Sequence, residues 1–362
     1  MHRSTLITSL GLFAIVLVAA SQPAAAQFYA QHNLISDGAA PAPLVDSNLV
    51  NAWGLVAGPT TPWWINDNGT GNSTVYNAAS GAELFSVMVP GDPTGIVFNG
   101  TAGFEVDNGA GPGPARFMFA SEDGTISGWH PATGVVLPAT VVVDNSASGA
   151  VYKGLAIAST EEGEPRLYAT DFHNGKVDVF DGNFGIVKAG FKDSTIPEHY
   201  APFGVQAFGD VILVTYALQD ADAHDDVPGE GHGYINMFDT EGTFLKRVTE
   251  KGQLNSPWGL ALAPEDFGKF SGHLLVGNFG NGRIHAFDPT KLNGKGEFQH
   301  RGPLHSADGI PIEIDGLWGL SFGHGSPANG PENTLFFTAG PNDESHGLFG
   351  TLVAVPPPGR GR

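Results

Sequence analysis

Ala-Trp-Gly-Leu at positions 52–55 is the first copy of a short motif that decides the fold of this chain. In each copy a glycine follows an aromatic, lysine or threonine residue and precedes an apolar run. The further copies are Pro-Thr-Gly-Ile (93–96), Tyr-Lys-Gly-Leu (152–155), Pro-Phe-Gly-Val (202–205), Pro-Trp-Gly-Leu (257–260) and Leu-Trp-Gly-Leu (317–320). The glycines recur every 41 to 60 residues, and a spacing of this size is typical of repeat architectures.

Each copy is followed by short runs of alternating apolar and polar residues, separated by turns rich in Asn, Asp and Gly. Such alternation predicts strands joined as hairpins. Five copies have room for four strands, whereas the sixth ends at Val355 with three. The segment Phe28–Ile35 has the pattern of a strand, so we expect it to complete the sixth blade. The sequence therefore predicts an all-β fold, a six-bladed β-propeller closed by its N-terminal strand, or a seven-bladed ring if residues 97–116 contain a degenerate blade.

The composition excludes several classes of protein. The 362 residues include 37 acidic and 17 basic side chains, which give a net charge of −20, and no cysteine. Disulfide scaffolds and cysteine-ligated metal sites are therefore excluded. The negative charge argues against a nucleic-acid partner, and no nucleotide or haem signature is present. With 41% hydrophobic residues, the chain has ample material for a large core.

The N-terminal segment predicts export. His2 and Arg3 precede an apolar run, and Ala24-Ala25-Ala26 offers a small-residue cleavage site. We therefore expect a signal peptide over residues 1–26, the propeller over 27–355 and a Pro- and Gly-rich tail over 356–362. The alternative is an uncleaved membrane anchor, for which the apolar run is short. On the main interpretation the mature protein is periplasmic or extracellular, has no transmembrane anchor and is a monomer.

Two segments resemble a known type of repeat. Asp-Phe-His-Asn-Gly-Lys-Val-Asp-Val-Phe-Asp (171–181) and Asn-Phe-Gly-Asn-Gly-Arg-Ile-His-Ala-Phe-Asp (278–288) look like NHL-type propeller repeats. More narrowly, four other segments resemble a family of secreted bacterial proteins without an assigned activity; these are Gln31–Asp37, Asn51–Leu55, Asn66–Gly71 and Asp220–Val227. The resemblance covers nearly the whole mature chain. It implies a propeller fold and export, and it implies no reaction.

Two sets of loops are expected at one mouth of the central channel, which is the default ligand site. Carboxylates and amides in these loops suit a hard cation such as Ca²⁺. Calcium-dependent six-bladed lactonases and esterases carry such side chains around a channel metal, and by analogy with them the candidate ligands here are Asp67, Glu122, Asp171 and Asn278. The alternative interpretation is that these residues stabilise ordinary hairpin turns.

A second candidate cation site is the long loop Leu218–Gly233. Its acidic and histidine residues lie within thirteen positions and are Asp220, Asp222, His224, Asp225, Asp226, Glu230 and His232. So many carboxylates repel one another unless a cation or a basic group neutralises them, and no Lys or Arg lies between Lys192 and Lys246. The spacing lacks the Gly and Glu of an EF-hand. Calcium, a transition metal and a solvated acidic loop all remain open.

Aromatic residues of the repeated motif supply the candidate ligand-binding surface. Trp53, Phe203, Trp258 and Trp318 are expected at the channel mouth, where they either pack between blades or offer a stacking platform for a sugar or an aromatic ligand. We therefore expect a secreted binding or interaction protein whose channel face takes a small molecule, a glycan or a protein, with calcium as a candidate cofactor. The alternative is a metal-dependent hydrolase or lyase of the lactonase or esterase type, because propellers host both functions.

Overall fold

The computed structural model describes residues 27–132, 134–188 and 190–357. Within these ranges six sheets surround a central channel, so the predicted six-bladed β-propeller is confirmed. The helical segments there are single 3-10 turns, at Asn68–Thr70, Ser146–Ser148, Gly268–Phe270 and Phe279–Asn281. A membrane-crossing helix, judged by length and apolar character, is not found in the described ranges. The expected signal peptide and residues 358–362 of the tail lie outside them.

The strands follow the chain order of the repeats. Two strands precede the first copy, β1 (Phe28–Ser36) and β2 (Leu44–Val45). Blade 1 consists of β3 (Ala52–Val56), β4 (Trp63–Asp67), β5 (Asn72–Tyr76) and β6 (Glu83–Met88). Blade 2 consists of β7 (Pro93–Phe98), β10 (Phe117–Ser121), β11 (Thr125–Trp129) and β12 (Thr140–Asp144), with an inserted hairpin of β8 (Glu105–Asp107) and β9 (Pro112–Pro114). Blade 3 consists of β13 (Tyr152–Ser159), β14 (Pro165–Asp171), β15 (Lys176–Asp181) and β16 (Ile186–Val187).

The remaining three blades repeat the same antiparallel order. Blade 4 consists of β17 (Tyr200–Phe208), β18 (Val211–Leu218), β19 (Tyr234–Asp239) and β20 (Phe244–Glu250). Blade 5 consists of β21 (Pro257–Leu262), β22 (Leu274–Asn278), β23 (Ile284–Leu292) and β24 (Phe298–Pro303). Blade 6 consists of β25 (Leu317–Phe322), β26 (Thr334–Ala339) and β27 (Leu348–Val355). In every blade the first strand is the innermost.

The N-terminal strand closes the ring as predicted. β1 pairs antiparallel with β27, from Phe28 opposite Val355 to Ser36 opposite Leu348. β2 then adds a short parallel strand to β1, which the sequence did not predict. Strands from the two ends of the propeller therefore share blade 6.

The stretch 97–116 contains no seventh blade. Its first two residues end β7, and most of the rest forms the inserted β8–β9 hairpin. Phe104 and Val106 from this insertion are buried in the core between blades 2 and 3. The insertion therefore thickens one blade interface and leaves the ring at six.

The repeated glycines lie where neighbouring inner strands come closest. A Cβ on Gly259 would overlap the carbonyl oxygen of Trp318 in the next blade, and one on Gly54 would overlap that of Thr94. The other members of the set approach the following blade in the same way, and they are Gly95, Gly154, Gly204 and Gly319. We call these six residues the glycine ring. Glycine is required because any side chain would push two blades apart.

Polar side chains also join one blade to the next at this level. The Asn66 amide donates a hydrogen bond of 3.0 Å to the carbonyl oxygen of Thr94. The Thr170 hydroxyl donates one of 2.7 Å to the carbonyl oxygen of Phe203, and the Thr338 hydroxyl bonds that of Trp53. Three blade interfaces are thus fixed in register by side chains that satisfy otherwise unpaired inner-strand carbonyls.

Apolar side chains fill the six interfaces between blades, with one buried cluster at each. Between blades 1 and 2, for example, Trp64 stacks on Phe117 with ring centroids 4.0 Å apart. A seventh cluster of aromatic residues lies at one mouth of the channel. The core is therefore distributed around the ring, and the channel ends are left for other chemistry.

Replacing a ring glycine tests this packing. We expect Gly259→Ala to lower the free energy of unfolding by about 2 to 3 kcal/mol, because the added methyl group forces blades 5 and 6 apart. Urea denaturation followed by tryptophan fluorescence measures the change.

Gly294→Ala is the matched control, since a Cβ at that position meets no atom within 4 Å. We expect it to leave stability nearly unchanged. Equal losses in the two variants would show that the close approach at the glycine ring is not what the fold depends on.

Candidate functional site

The two predicted sets of loops meet at one end of the channel. The first residue of an inner strand pairs with the last residue of the second strand, as in Ala52 with Asp67 and Tyr152 with Asp171. The loops before the inner strands and those after the second strands therefore lie side by side. We call this end the channel mouth.

Five aromatic residues at the mouth form a plug. Trp318 lies between Trp53 and Phe279, with ring centroids 3.7 Å and 3.9 Å from its own. Trp258 meets Trp318 edge to face at 5.8 Å, and Phe203 lies 5.8 Å from the same ring. Trp53, Phe203 and Trp318 are buried, whereas Trp258 stays partly exposed. These rings contact mainly one another, so their role as a ligand platform stays a prediction.

Three of the four predicted mouth ligands make hydrogen bonds to residues of their own blades or of the loops that lead into them. Thr74 donates to the buried carboxyl group of Asp67, and burial raises the pKa of that group well above its usual value. The Asp171 carboxylate accepts 3.3 Å and 2.8 Å bonds from the Val151 N–H and the Asn174 amide. The structure therefore bonds Asp67 to the neighbouring strand β5 and gives Asp171 partners that hold local turns.

Asn278, the third of them, has the same kind of environment. Its amide oxygen accepts a 3.2 Å bond from the Asn255 N–H, and its amide nitrogen donates a 2.7 Å bond to the Gln253 carbonyl oxygen. Both partners lie in the loop before β21. Asn278 thus fixes the approach to an inner strand.

Glu122 differs because it lies one residue further along the chain. Ser121 pairs with Pro93, so Ser121 holds the position that Asp67, Asp171 and Asn278 hold in their blades. Successive side chains of an extended strand point to opposite sides. The Glu122 side chain therefore points the same way as those of Asn68, Phe172 and Phe279, each of which directly follows one of these three residues. All three contact residues at the channel mouth.

Lys153 is the centre of a polar cluster at the mouth. Its side chain is 1% exposed, and its ammonium group donates to Glu122 and, over 2.9 Å, to Asp225 Oδ1. His224 Nδ1 lies 3.1 Å from the same Asp225 oxygen. The Lys153 ammonium also lies 5.2 Å from the centroid of Trp53. We call Glu122, Lys153, His224 and Asp225, with the three residues described next, the mouth cluster.

Two amides link a further carboxyl group to this cluster. Asn68 Nδ2 donates a 2.9 Å bond to Glu122 Oε2. Asn51 Nδ2 donates to Asn68 Oδ1 over 3.1 Å and to Glu344 Oε2 over 2.6 Å. The indole N–H of Trp318 donates to Asn51 Oδ1 over 3.0 Å. The mouth cluster and the aromatic plug are thus one hydrogen-bonded unit.

The acidic loop 218–233 reaches the mouth through a tight turn. The Asp220 carboxylate accepts a 2.9 Å bond from the His224 N–H, and the Asp220 N–H donates to the Asp225 carbonyl oxygen over 2.8 Å. Asp220 therefore shapes the loop and presents His224 and Asp225. Asp222 is exposed at the tip of this turn, and Glu230 is exposed further along the loop. His232 Nδ1 bonds the Val227 carbonyl oxygen at 2.8 Å.

The electrostatics show an excess of negative charge at the mouth. Burial, aided by the neighbouring Glu122, raises the pKa of Glu344 to about 7. Burial likewise raises the pKa of Asp226 to about 6 and, together with Glu122 and Asp123, raises that of Asp92. Burial alone would raise the pKa of Asp225, but Lys153 outweighs it and holds that pKa low. One buried ammonium group thus faces several carboxyl groups.

Donor atoms for a cation come together in one group among the residues that the structure describes. Ligand atoms of Glu122, His224 and Asp225 all lie within 4.8 Å of one another. This group joins one predicted mouth ligand to two predicted loop ligands. Sequence reasoning did not identify Asn51, Lys153 and Glu344 as members of the mouth cluster. Asn51 and Glu344 lie in loops at the mouth, and Lys153 is the second residue of β13, beside that end; this position was the available signal.

The family-model comparison gave no match. Two proteins of Acanthamoeba polyphaga mimivirus are similar in sequence. Uncharacterized protein R648 is 33% identical over 88% of this chain and 78% of its own length, and uncharacterized protein L690 is 32% identical over 85% and 81%. Among solved structures, a protein of unknown function from Bacteroides thetaiotaomicron shares the fold, with a TM-score of 0.55, 10% identity and coverage of 90% of this chain and 76% of that one.

The role of Lys153 can be tested by removing its charge. We expect Lys153→Met to lower the free energy of unfolding at pH 7 by about 3 kcal/mol, because the mostly buried Glu122 side chain loses its cationic partner. Urea denaturation measures the difference.

Lys295→Met is the matched control. Lys295 makes a 2.9 Å ion pair with Glu250 but is 68% exposed, so solvent replaces the pair and stability should hardly change. If the two variants lost the same stability, Lys153 would not be an internal counter-ion.

Proposed function

The chain belongs to the family of the mimivirus proteins R648 and L690, which are uncharacterized, so we propose a function from the geometry of the channel mouth. We propose that the protein is an exported β-propeller that binds a divalent cation at the mouth. Through this cation it binds a small-molecule, glycan or protein ligand. The observation that carries the proposal is the surplus of carboxyl groups around one buried ammonium group. A bound cation would relieve their mutual repulsion.

The donor set suits calcium first. Ca²⁺ takes six to eight oxygen ligands, and Glu122, Asp225 and Glu344 offer carboxylate oxygens within one hydrogen-bonded network. Asn68 adds an amide to the same network, and water would complete the shell. Bound there, calcium would supply positive charge for an anionic or hydroxyl-rich ligand.

Lys153 makes cation binding weaker than these donors alone would allow. Its ammonium group already bonds Glu122 and Asp225, so an incoming cation must displace it from at least one of them. The energetic cost of this displacement predicts an affinity closer to that of extracellular calcium modules, on the order of 0.1 to 1 mM, than to that of tight calcium buffers.

A metal-dependent hydrolase or lyase of the lactonase or esterase type is the second candidate. One observation favours it, since His224 with two carboxylates is a mixed nitrogen and oxygen donor set that suits transition metals. Metal-dependent turnover of a panel of lactones and esters, lost in Asp225→Asn, would support this candidate. Cation binding without turnover would instead support the proposed binding function.

Export is part of the proposal. It is supported by the apolar run and the small residues before Gln27. The mass of the mature protein recovered from the periplasm or the medium tests it, because cleavage after Ala26 leaves a chain that begins at Gln27. Retention of the full mass would contradict export by this route.

Isothermal titration with CaCl₂ and with MnCl₂ tests the site. We expect one cation per chain, and we expect Asp225→Asn to weaken binding at least tenfold at pH 7.5. Affinity should also fall about tenfold or more from pH 7.5 to pH 5.5, because Glu344, with a pKa of about 7, and Asp226, with one of about 6, must lose their protons to favour the cation.

Asp222→Asn is the matched control, because Asp222 is an exposed carboxylate of the same loop that lies outside the mouth cluster. It should bind as the wild type does. Equal effects of the two variants, or no heat with either salt at pH 7.5, would contradict a cation site at the mouth.

A further inference from the structure

The channel has a second opening that the proposed function does not use. At the end of the inner strands opposite the mouth, the residues that follow the glycine ring line a cavity of about 490 Å³. All six blades contribute to its wall. Pro59 and His324, from loops between first and second strands, complete it. We call this cavity the lower vestibule.

Most residues that line the lower vestibule have apolar side chains, which share the wall with uncharged polar groups, and none of them is Asp, Glu, Lys or Arg. Leu55, Phe98 and Leu262 are apolar residues of the wall whose side chains stay partly exposed. The chain as a whole has a net charge of −20. A wall that takes residues from all six blades and includes no charged side chain therefore differs from the rest of the surface. It disfavours a charged occupant, because a charge buried there would have no partner.

The lower vestibule is separated from the mouth cluster. The aromatic plug lies between them, and below it a cavity of only about 30 Å³ is lined by ring glycines and their neighbours. That space holds about one water molecule. A molecule in the lower vestibule therefore does not reach Glu122 or Lys153, and the two ends are distinct sites.

The wall also offers a few polar groups. His324 Nδ1 lies 3.1 Å from the carbonyl oxygen of Gly58. A carbonyl oxygen can only accept, so Nδ1 carries the proton and Nε2 of the neutral ring is an acceptor. Ser321 and Gln206 are the other polar residues of the wall. An acceptor in a wall without charged side chains favours a ligand that carries a hydroxyl group.

We propose that the lower vestibule binds an uncharged amphiphile, an alkyl chain or ring system with a hydroxyl group. Its volume lies within the roughly 300 to 1,000 Å³ of small-molecule sites, which are mostly apolar with a few placed polar groups. The apolar part packs against the leucine and phenylalanine side chains, and the hydroxyl group donates to His324 Nε2. Charged amphiphiles of the same length bind more weakly, because their head groups lose hydration without gaining a counter-charge.

A fluorescence titration with N-phenyl-1-naphthylamine, an uncharged apolar probe, tests the site on the mature protein. We expect saturable binding of one probe per chain. 1-Decanol should displace the probe, and decanoate and decylammonium should need at least tenfold higher concentrations. Saturable binding with this order of competitors supports an uncharged ligand class, and equal competition by decanoate or decylammonium would overturn it.

Two half-exposed leucines give a matched pair of variants. Leu262 is 50% exposed and lies in the wall, whereas Leu292 is 56% exposed and lies outside it on β23. We expect Leu262→Asp to weaken probe binding at least tenfold and Leu292→Asp to leave it unchanged. Equal effects would place the probe elsewhere and overturn the proposal.

A variant that fills the cavity tests the site without introducing a charge. Gln206 is an exposed residue of the wall, so Gln206→Trp should fill the lower vestibule and abolish probe binding without changing the melting temperature. Unchanged probe binding in a folded Gln206→Trp protein, or no saturable binding by the wild type, would also overturn the proposal.

Discussion

The close contact between neighbouring inner strands is the constraint on which the rest of this molecule depends. At the glycine ring the backbone of one blade lies against the backbone of the next, as Gly259 does against the carbonyl group of Trp318. Along each inner strand, the residue before the glycine lies on the side of the channel mouth, and those after it lie on the side of the opposite end. Trp53 and Lys153 belong to the first set, and Leu55 and Leu155 to the second. One repeated motif thus builds two chemically different openings.

Lys153 explains how the mouth tolerates so many carboxyl groups. The acidic loop has no basic residue near it in sequence, and its counter-charge comes from another blade, 72 residues away. The ammonium group is held by Glu122 on one side and Asp225 on the other. Burial, aided by the negative charge of Glu122, raises the pKa of Glu344 to about 7 even though Lys153 opposes this rise, so a single positive charge does not balance the carboxyl groups. The same imbalance both stabilises Lys153 as an internal cation and favours a second one from solution.

Much of the fold could be predicted from the sequence, because each blade repeats one motif with local strand pairing. The closing strand β1 was predictable from the missing fourth strand of the sixth copy. The short strand β2 and the β8–β9 hairpin were not, since neither belongs to the repeat. The site was predicted only in part. A one-residue offset at the end of a strand reverses the direction of a side chain, which separates Glu122 from Asp67 and Asp171. Asn51 and Glu344 lie 293 positions apart and meet only because the ring closes.

Anomalous scattering from a crystal grown with MnCl₂ at pH 7.5 tests the central claim most directly, which is that the mouth cluster is a cation site with an internal ammonium group. The account predicts one strong peak at the mouth, in contact with Glu122 or Asp225, and a Lys153 side chain that has left at least one of these carboxylates. A mouth without a peak, with Lys153 still bonded to both Glu122 and Asp225, would contradict it.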